Sequence, residues 1–232
     1  MATPNNPGML PGPGTTQVTD TRSVVMSGAE YLPRGLVVDG SLSRDPLNTS
    51  YLDYLRPGMV MGRITATGLY RPSCIGALSV AYTTGGSGTS MTVSAATAVE
   101  LARLGSSGTF TLTGPPTAAG TVVSTTITYS AVNTTTGVIT ITATDANYVV
   151  ASWLGGVDGS QTPVCLIGNG SPIKVTDALS TSIDVEWPTP VIGGVIDSSQ
   201  IVNYPSDTSL ITWLEDALQE RGRYVFDAKY IV

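Results

Sequence analysis

The sequence predicts a mainly β fold of the α+β kind, and three observations carry that expectation. Charged residues make up only 12% of the 232, about half the usual globular share. Glycine occurs 26 times and proline 15 times, so turns are frequent and few stretches remain for helices. Apolar side chains also alternate with a period of two: Phe110 and Leu112, then Val123, Thr125, Ile127 and Tyr129, then Ile139 and Ile141. That period places every second side chain on one face of a half-buried strand.

Taken along the chain, residues 1–26 read as an extended arm, rich in proline and without apolar periodicity before Val24, Val25 and Met26. Residues 27–80 hold short strand candidates separated by turns. Among them is the stretch "YLRPGMVMGRITATGLYRP", residues 54–72, which predicts a turn at Pro57-Gly58 and a strand over 59–67. Its spacing does not fit a phosphate loop, because Gly58 and Gly62 lie too close and no Gly-Lys-Ser/Thr follows. "TTGGSGTS", residues 83–90, reads as a flexible connection.

A helix follows over 95–104, with Ser94 as N-cap and Gly105 suited to a left-handed C-terminal position. The alternating strands come next, with hairpin chemistry at Asn133 to Gly137. Residues 81–156 therefore read as a compact insert of one helix against a small antiparallel sheet. Residues 27–80 and 157–232 form a discontinuous core around it. Cys74 and Cys165 flank the insert and are expected to be near neighbours, with two small buried hydrophobes the favoured reading. "SDTSLITWLEDALQERG" predicts a second helix, capped by Asp207 or a neighbour and stopped by Gly222, and a closing strand follows.

The charge balance narrows the partners. Net charge is −6 with only two lysines, so the basic stripe that nucleic acid needs is missing. No apolar run is long enough for a membrane-spanning helix, and the N-terminus lacks the pattern of a signal peptide. The expected setting is a cytoplasm, or release by lysis.

Chemistry is equally constrained. The chain has no histidine, which removes the commonest general base and metal ligand. A carboxylate pair drawn from Asp177, Asp184, Glu186 or Asp197 is the only plausible catalytic machinery, and a solvated acidic surface explains the same residues. Asp145 and Asn147 match part of a calcium loop but lack its glycine and glutamate. We expect no catalytic residue, no metal and no cofactor. Trp153 and Trp187 flank glycine- or proline-rich turns and read as interface candidates, whereas Trp213, on the second helix, reads as packing.

Three segments carry a resemblance. "LRPGMVMGRITATGLYRP" (55–72), "DGSQTPVCLIG" (158–168) and "ALQERGRYVFD" (217–227) resemble, in that order, framework elements of the head decoration (capsid cement) proteins of tailed bacteriophages. Two departures stand out: the 81–156 insert, and Arg223 where that family usually has an apolar residue. The resemblance implies a small β-barrel or β-tulip-like core with one C-terminal helix. It also implies a non-enzymatic virion protein that binds the outer surface of the expanded head, as homotrimers, after assembly in the host cytoplasm.

The N-terminal arm would then pair with the major capsid protein by strand addition. Val18, Val24, Val25 and Met26 are the expected arm contacts. Tyr51, Tyr54, Arg56, Arg63, Tyr70, Arg71 and Trp187 are the expected interface residues. The alternative is a phage tail or fibre module that binds host glycan through the insert and its tryptophans.

Overall fold

The structure, a computed structural model, describes residues 22–84, 89–142, 144, 146–170, 172–177 and 179–227. Val18, residues 85–88 of the Gly/Ser connection and Asp145 lie outside these residues. The first strands are β1 (Val25–Tyr31), β2 (Leu36–Val38), β3 (Tyr54–Leu55), β4 (Val60–Arg63), β5 (Tyr70–Pro72), β6 (Gly76–Ala77) and β7 (Ser90–Thr92). Helix α1 (Ala95–Leu104) follows, then β8 (Gly108–Gly114), β9 (Val123–Asn133), β10 (Val138–Ile141) and β11 (Trp153–Gly155). The chain continues through β12 (Cys165–Ile167), β13 (Ile173–Lys174), β14 (Val185–Trp187), β15 (Pro190–Ile196), α2 (Thr208–Arg221) and β16 (Arg223–Phe226). The fold is mainly β, as the composition predicts.

Two sheets dominate. The larger runs β1-β15-β12-β4-β5-β2-β14, with β16 also pairing β15. It is mixed: β2 pairs β5 and β15 pairs β16 in parallel, and the rest are antiparallel. Its strands are short and come from distant parts of the chain. Gly58 makes the expected turn into β4 with φ +86, and a Cβ there would sit 2.1 Å from the Gln200 carbonyl oxygen. Only glycine fits such a close backbone approach at positive φ.

The second sheet runs β6-β11-β8-β9-β10-β7. The bridge between Leu78 and Val93, with Ser79 N–H donating to the Thr92 carbonyl at 3.0 Å, brings its two ends together. The sheet therefore curls on itself around an apolar interior. The alternating residues Phe110, Leu112, Ile127, Tyr129, Ile139 and Ile141 all enter one buried cluster, joined by Ala98 and Leu101 of α1. Ser94 caps α1 by accepting from Thr97 N–H at 3.1 Å. Gly105 ends the helix in an extended conformation, φ 173, rather than the left-handed one expected.

Two further apolar clusters belong to the larger sheet. One packs Leu210, Leu214 and Leu218 of α2 against Leu166, Val191, Ile196 and Phe226. Asp207 caps α2 by accepting from Ser209 and Leu210 N–H. The other groups Val38, Leu55, Met59, Met61, Ile167 and Trp187. Trp153 stands in a strand of the second sheet, yet its ring packs into the α2 cluster and its Nε1–H donates to the Asn203 carbonyl at 2.8 Å.

Cys74 and Cys165 are both free and buried. Burial pushes both thiols well above their ordinary pKa, as expected for inert core residues. They fall in different clusters: Cys165 opens β12, whereas Cys74 lies in the link between β5 and β6.

Candidate functional site

The segments singled out in the sequence converge on the larger sheet. β4 pairs β5 through Met61 and Pro72, and pairs β12 through Met61 and Cys165. β12 in turn pairs β15, and β15 pairs β16. Stretches about a hundred residues apart in sequence thus become neighbours in one sheet.

At the end of that sheet lies β1, which pairs only β15 among the described residues. Six of its seven residues are exposed. Register shifts interrupt its pairing, and Gly28 takes φ +64. An exposed edge strand presents unpaired backbone groups, and irregularities of this kind are a usual way to blunt it. Glu30 and Arg223 sit 3.6 Å apart beside it, both solvent-exposed, so their pairing is weak.

The start of β1 is already occupied. The Asn169 carboxamide accepts from Val25 N–H at 2.9 Å and donates to the Val25 carbonyl at 2.8 Å. Asp197 N–H donates to the Val24 carbonyl at 2.9 Å. Val24 and Val25 are buried in the α2 cluster. This corrects the expectation that they are arm contacts for a partner: two adjacent β-branched residues at a strand start are core here. Met26, 60% exposed, is the one described residue of that group that stays open.

The other expected interface residues divide. Tyr51 and Arg63 are exposed. Tyr54 is half-buried, edge-on to Tyr51 with ring centroids 5.9 Å apart. Tyr70 is half-buried opposite Arg63, and burial pushes its phenol up. Arg56 is committed to a two-pronged pair with the fully buried Asp45, its Nη2 donating to Oδ1 at 3.0 Å.

Arg71 and Trp187 are corrected outright as surface contacts. Trp187, the last residue of β14 and paired with Leu36 of β2, is buried in the Met59–Met61 cluster. Arg71 is buried and pairs with Asp158 at 3.2 Å. A buried guanidinium needs a partner within the fold. Asp158 also accepts from the Ser160 N–H and hydroxyl. Burial alone would raise its carboxyl, but the Ser160 hydroxyl and the Arg71 charge outweigh that and hold it below the usual range.

Two of the four carboxylates considered for catalysis, Asp177 and Asp197, are turn formers, Asp184 ties two distant segments together, and Glu186 stands in β14. Asp177 accepts from Leu179 and Thr181 N–H, Asp184 from Gly40 N–H and Asp197 from Ser199 N–H. Among the described residues no group of three or more Cys, Asp or Glu is placed to hold a metal ion. No described helix is long and apolar enough to cross a membrane.

Sequence reasoning missed Asn169, which sits in a Gly-Asn-Gly turn that carries only a turn signal. Its partner lies 144 residues away, so no local pattern could reveal it. No protein-family model matches the chain, and no curated protein or solved structure matches it.

Proposed function

We propose that the protein is a capsid decoration protein of a tailed phage. It binds the outer surface of the expanded head as trimers and stabilises the shell, with its N-terminal arm pairing with the major capsid protein. The observation that carries this reading is that all three decoration-like segments meet in one sheet, through the pairings β5-β4-β12-β15-β16. β1 supports it further. The strand lies at the edge of that same sheet, and the residues before it are those of the arm. Its register shifts blunt indiscriminate pairing, so a strand added there by backbone pairing has to match this irregular edge.

With Val24 and Val25 in the core, the contact surface moves outward. Met26 and the 27–31 edge take the partner strand, and Tyr51 and Arg63 remain as exposed contacts. Adjacent lattice sites offset the entropy lost when the arm orders. The test is co-sedimentation of the full chain with expanded, undecorated capsids. Saturation at a fixed ratio to major capsid protein, weakened by deleting residues 1–21 without unfolding the rest, supports the reading. Absence of binding at about micromolar concentration, the range of a moderately tight contact, refutes it.

A further inference from the structure

A shallow groove of about 420 Å³ lies where the loop before β9 meets α2. Trp213 forms part of its wall, with Thr208, Ser209, Thr212 and Asp216 along the same side of the helix and Thr121 opposite. We propose that this groove binds a saccharide, with a pyranose ring laid against the Trp213 indole and its hydroxyls bonded to Asp216 and the threonines.

The composition of the walls selects the ligand class. Among the described residues no cation lines the groove, and Asp216 is acidic, so an anion is disfavoured. Apart from Trp213 and Val122, the walls are hydroxyl, carboxylate, small side chains and backbone, too polar for an apolar guest. A sugar ring offers both an apolar C–H face and a fringe of donors and acceptors. An aromatic wall with convergent polar groups matches that combination.

The walls are also held in place. Trp213 packs edge-on against buried Trp153, centroids 5.9 Å apart at 87°, and Trp153 is fixed by its bond to Asn203. The opposite rim is tied down by Asp207, whose Oδ2 accepts from Ala119 N–H at 3.1 Å. Ala119 takes φ +56, unusual for a residue with a side chain. Strain of that kind persists only where the surroundings impose it, and it concentrates at functional sites. Rigid walls reduce the ordering lost on binding.

This site is independent of capsid binding and uses a different tryptophan from the buried Trp153. The test screens the full-length protein on a glycan array. The best oligosaccharide is then titrated against free protein, with tryptophan emission as the readout. Saturable binding is expected, weakened about tenfold or more by Trp213→Ala, the scale of one lost aromatic contact. Thr212 and Asp216 are exposed, so Thr212→Arg, which fills the groove, and Asp216→Ala decide the matter if Trp213→Ala does not fold. Both should weaken sugar binding while co-sedimentation with capsids stays unchanged. The absence of any saturable glycan, or binding undiminished by Thr212→Arg, overturns the proposal.

Discussion

The two sheets are built in opposite ways. The six-stranded sheet is mostly sequential: β8, β9 and β10 follow one another as antiparallel neighbours, and its longest strand, β9, has eleven residues. The larger sheet joins short strands far apart in sequence, such as β4 with β12 and β1 with β15. The first relies on alternating apolar side chains. The second adds polar clamps at its joins: Asn169 on Val25, Arg56 on Asp45 and Arg71 on Asp158. Long-range pairing costs more chain entropy before any contact compensates for it, and two of these clamps, Asn169 on Val25 and Arg71 on Asp158, join residues 144 and 87 positions apart, whereas Arg56 and Asp45 are only 11 apart and brace a local loop.

The sharpest way to break the distinction is at the residue the two halves share. Trp153 belongs to the six-stranded sheet by backbone and to the α2 cluster by side chain. Trp153→Ala should cost about 3–5 kcal/mol, measured by urea unfolding. If the halves are coupled through this ring, both lose hydrogen-exchange protection together. A loss confined to one half would show them to be uncoupled.

The next largest effect falls on a clamp. Asp158→Ala strands the buried Arg71 and should cost about 1–3 kcal/mol. The pH dependence has a defined sign. Asp158 has a lowered carboxyl pKa in the fold, so its stabilisation is present above the unfolded carboxylate value and is lost as pH falls through the folded one. Asp158→Asn should therefore flatten the decline in stability on acidification. A decline as steep as that of the unaltered protein would remove Asp158 as its source.

Asn169→Ala should cost about 1–2 kcal/mol, since two backbone groups lose their partner. The Val25 amide should then exchange faster while amides in β9 do not change. The smallest effect belongs to the locally built half. Ser94→Ala removes the α1 cap and should cost about 1 kcal/mol, seen as a lower thermal midpoint without any change at β1.

The same contrast explains what was legible in the sequence. Phe110, Leu112, Ile127, Tyr129, Ile139 and Ile141 could be assigned to one interior because strand periodicity is a local property. Ser94 and Asp207 were legible as caps for the same reason. The placement of Val24, Val25, Arg71 and Trp187 was not legible. Each is decided by a partner distant in sequence: Asp197 for Val24, Asn169 for Val25, Asp158 for Arg71 and β2 for Trp187. Low charge density offered one clue. Between Leu78 and Gly168 the sequence has only four charges, Glu100, Arg103, Asp145 and Asp158, and Glu100 pairs with Arg103 while Asp158 pairs with Arg71 from outside that stretch, so these paired charges serve the fold. Arg103 also reaches across to the Ser41 carbonyl at 2.7 Å, joining α1 to the other half.

The most direct test of the proposed role is hydrogen exchange at the β1 edge with and without expanded capsids. With strand addition at β1, amides within 27–31 become protected on binding, while those of β9 and β10 exchange as before. Binding that leaves the 27–31 amides unchanged would contradict strand addition at this edge and move the contact elsewhere on the molecule.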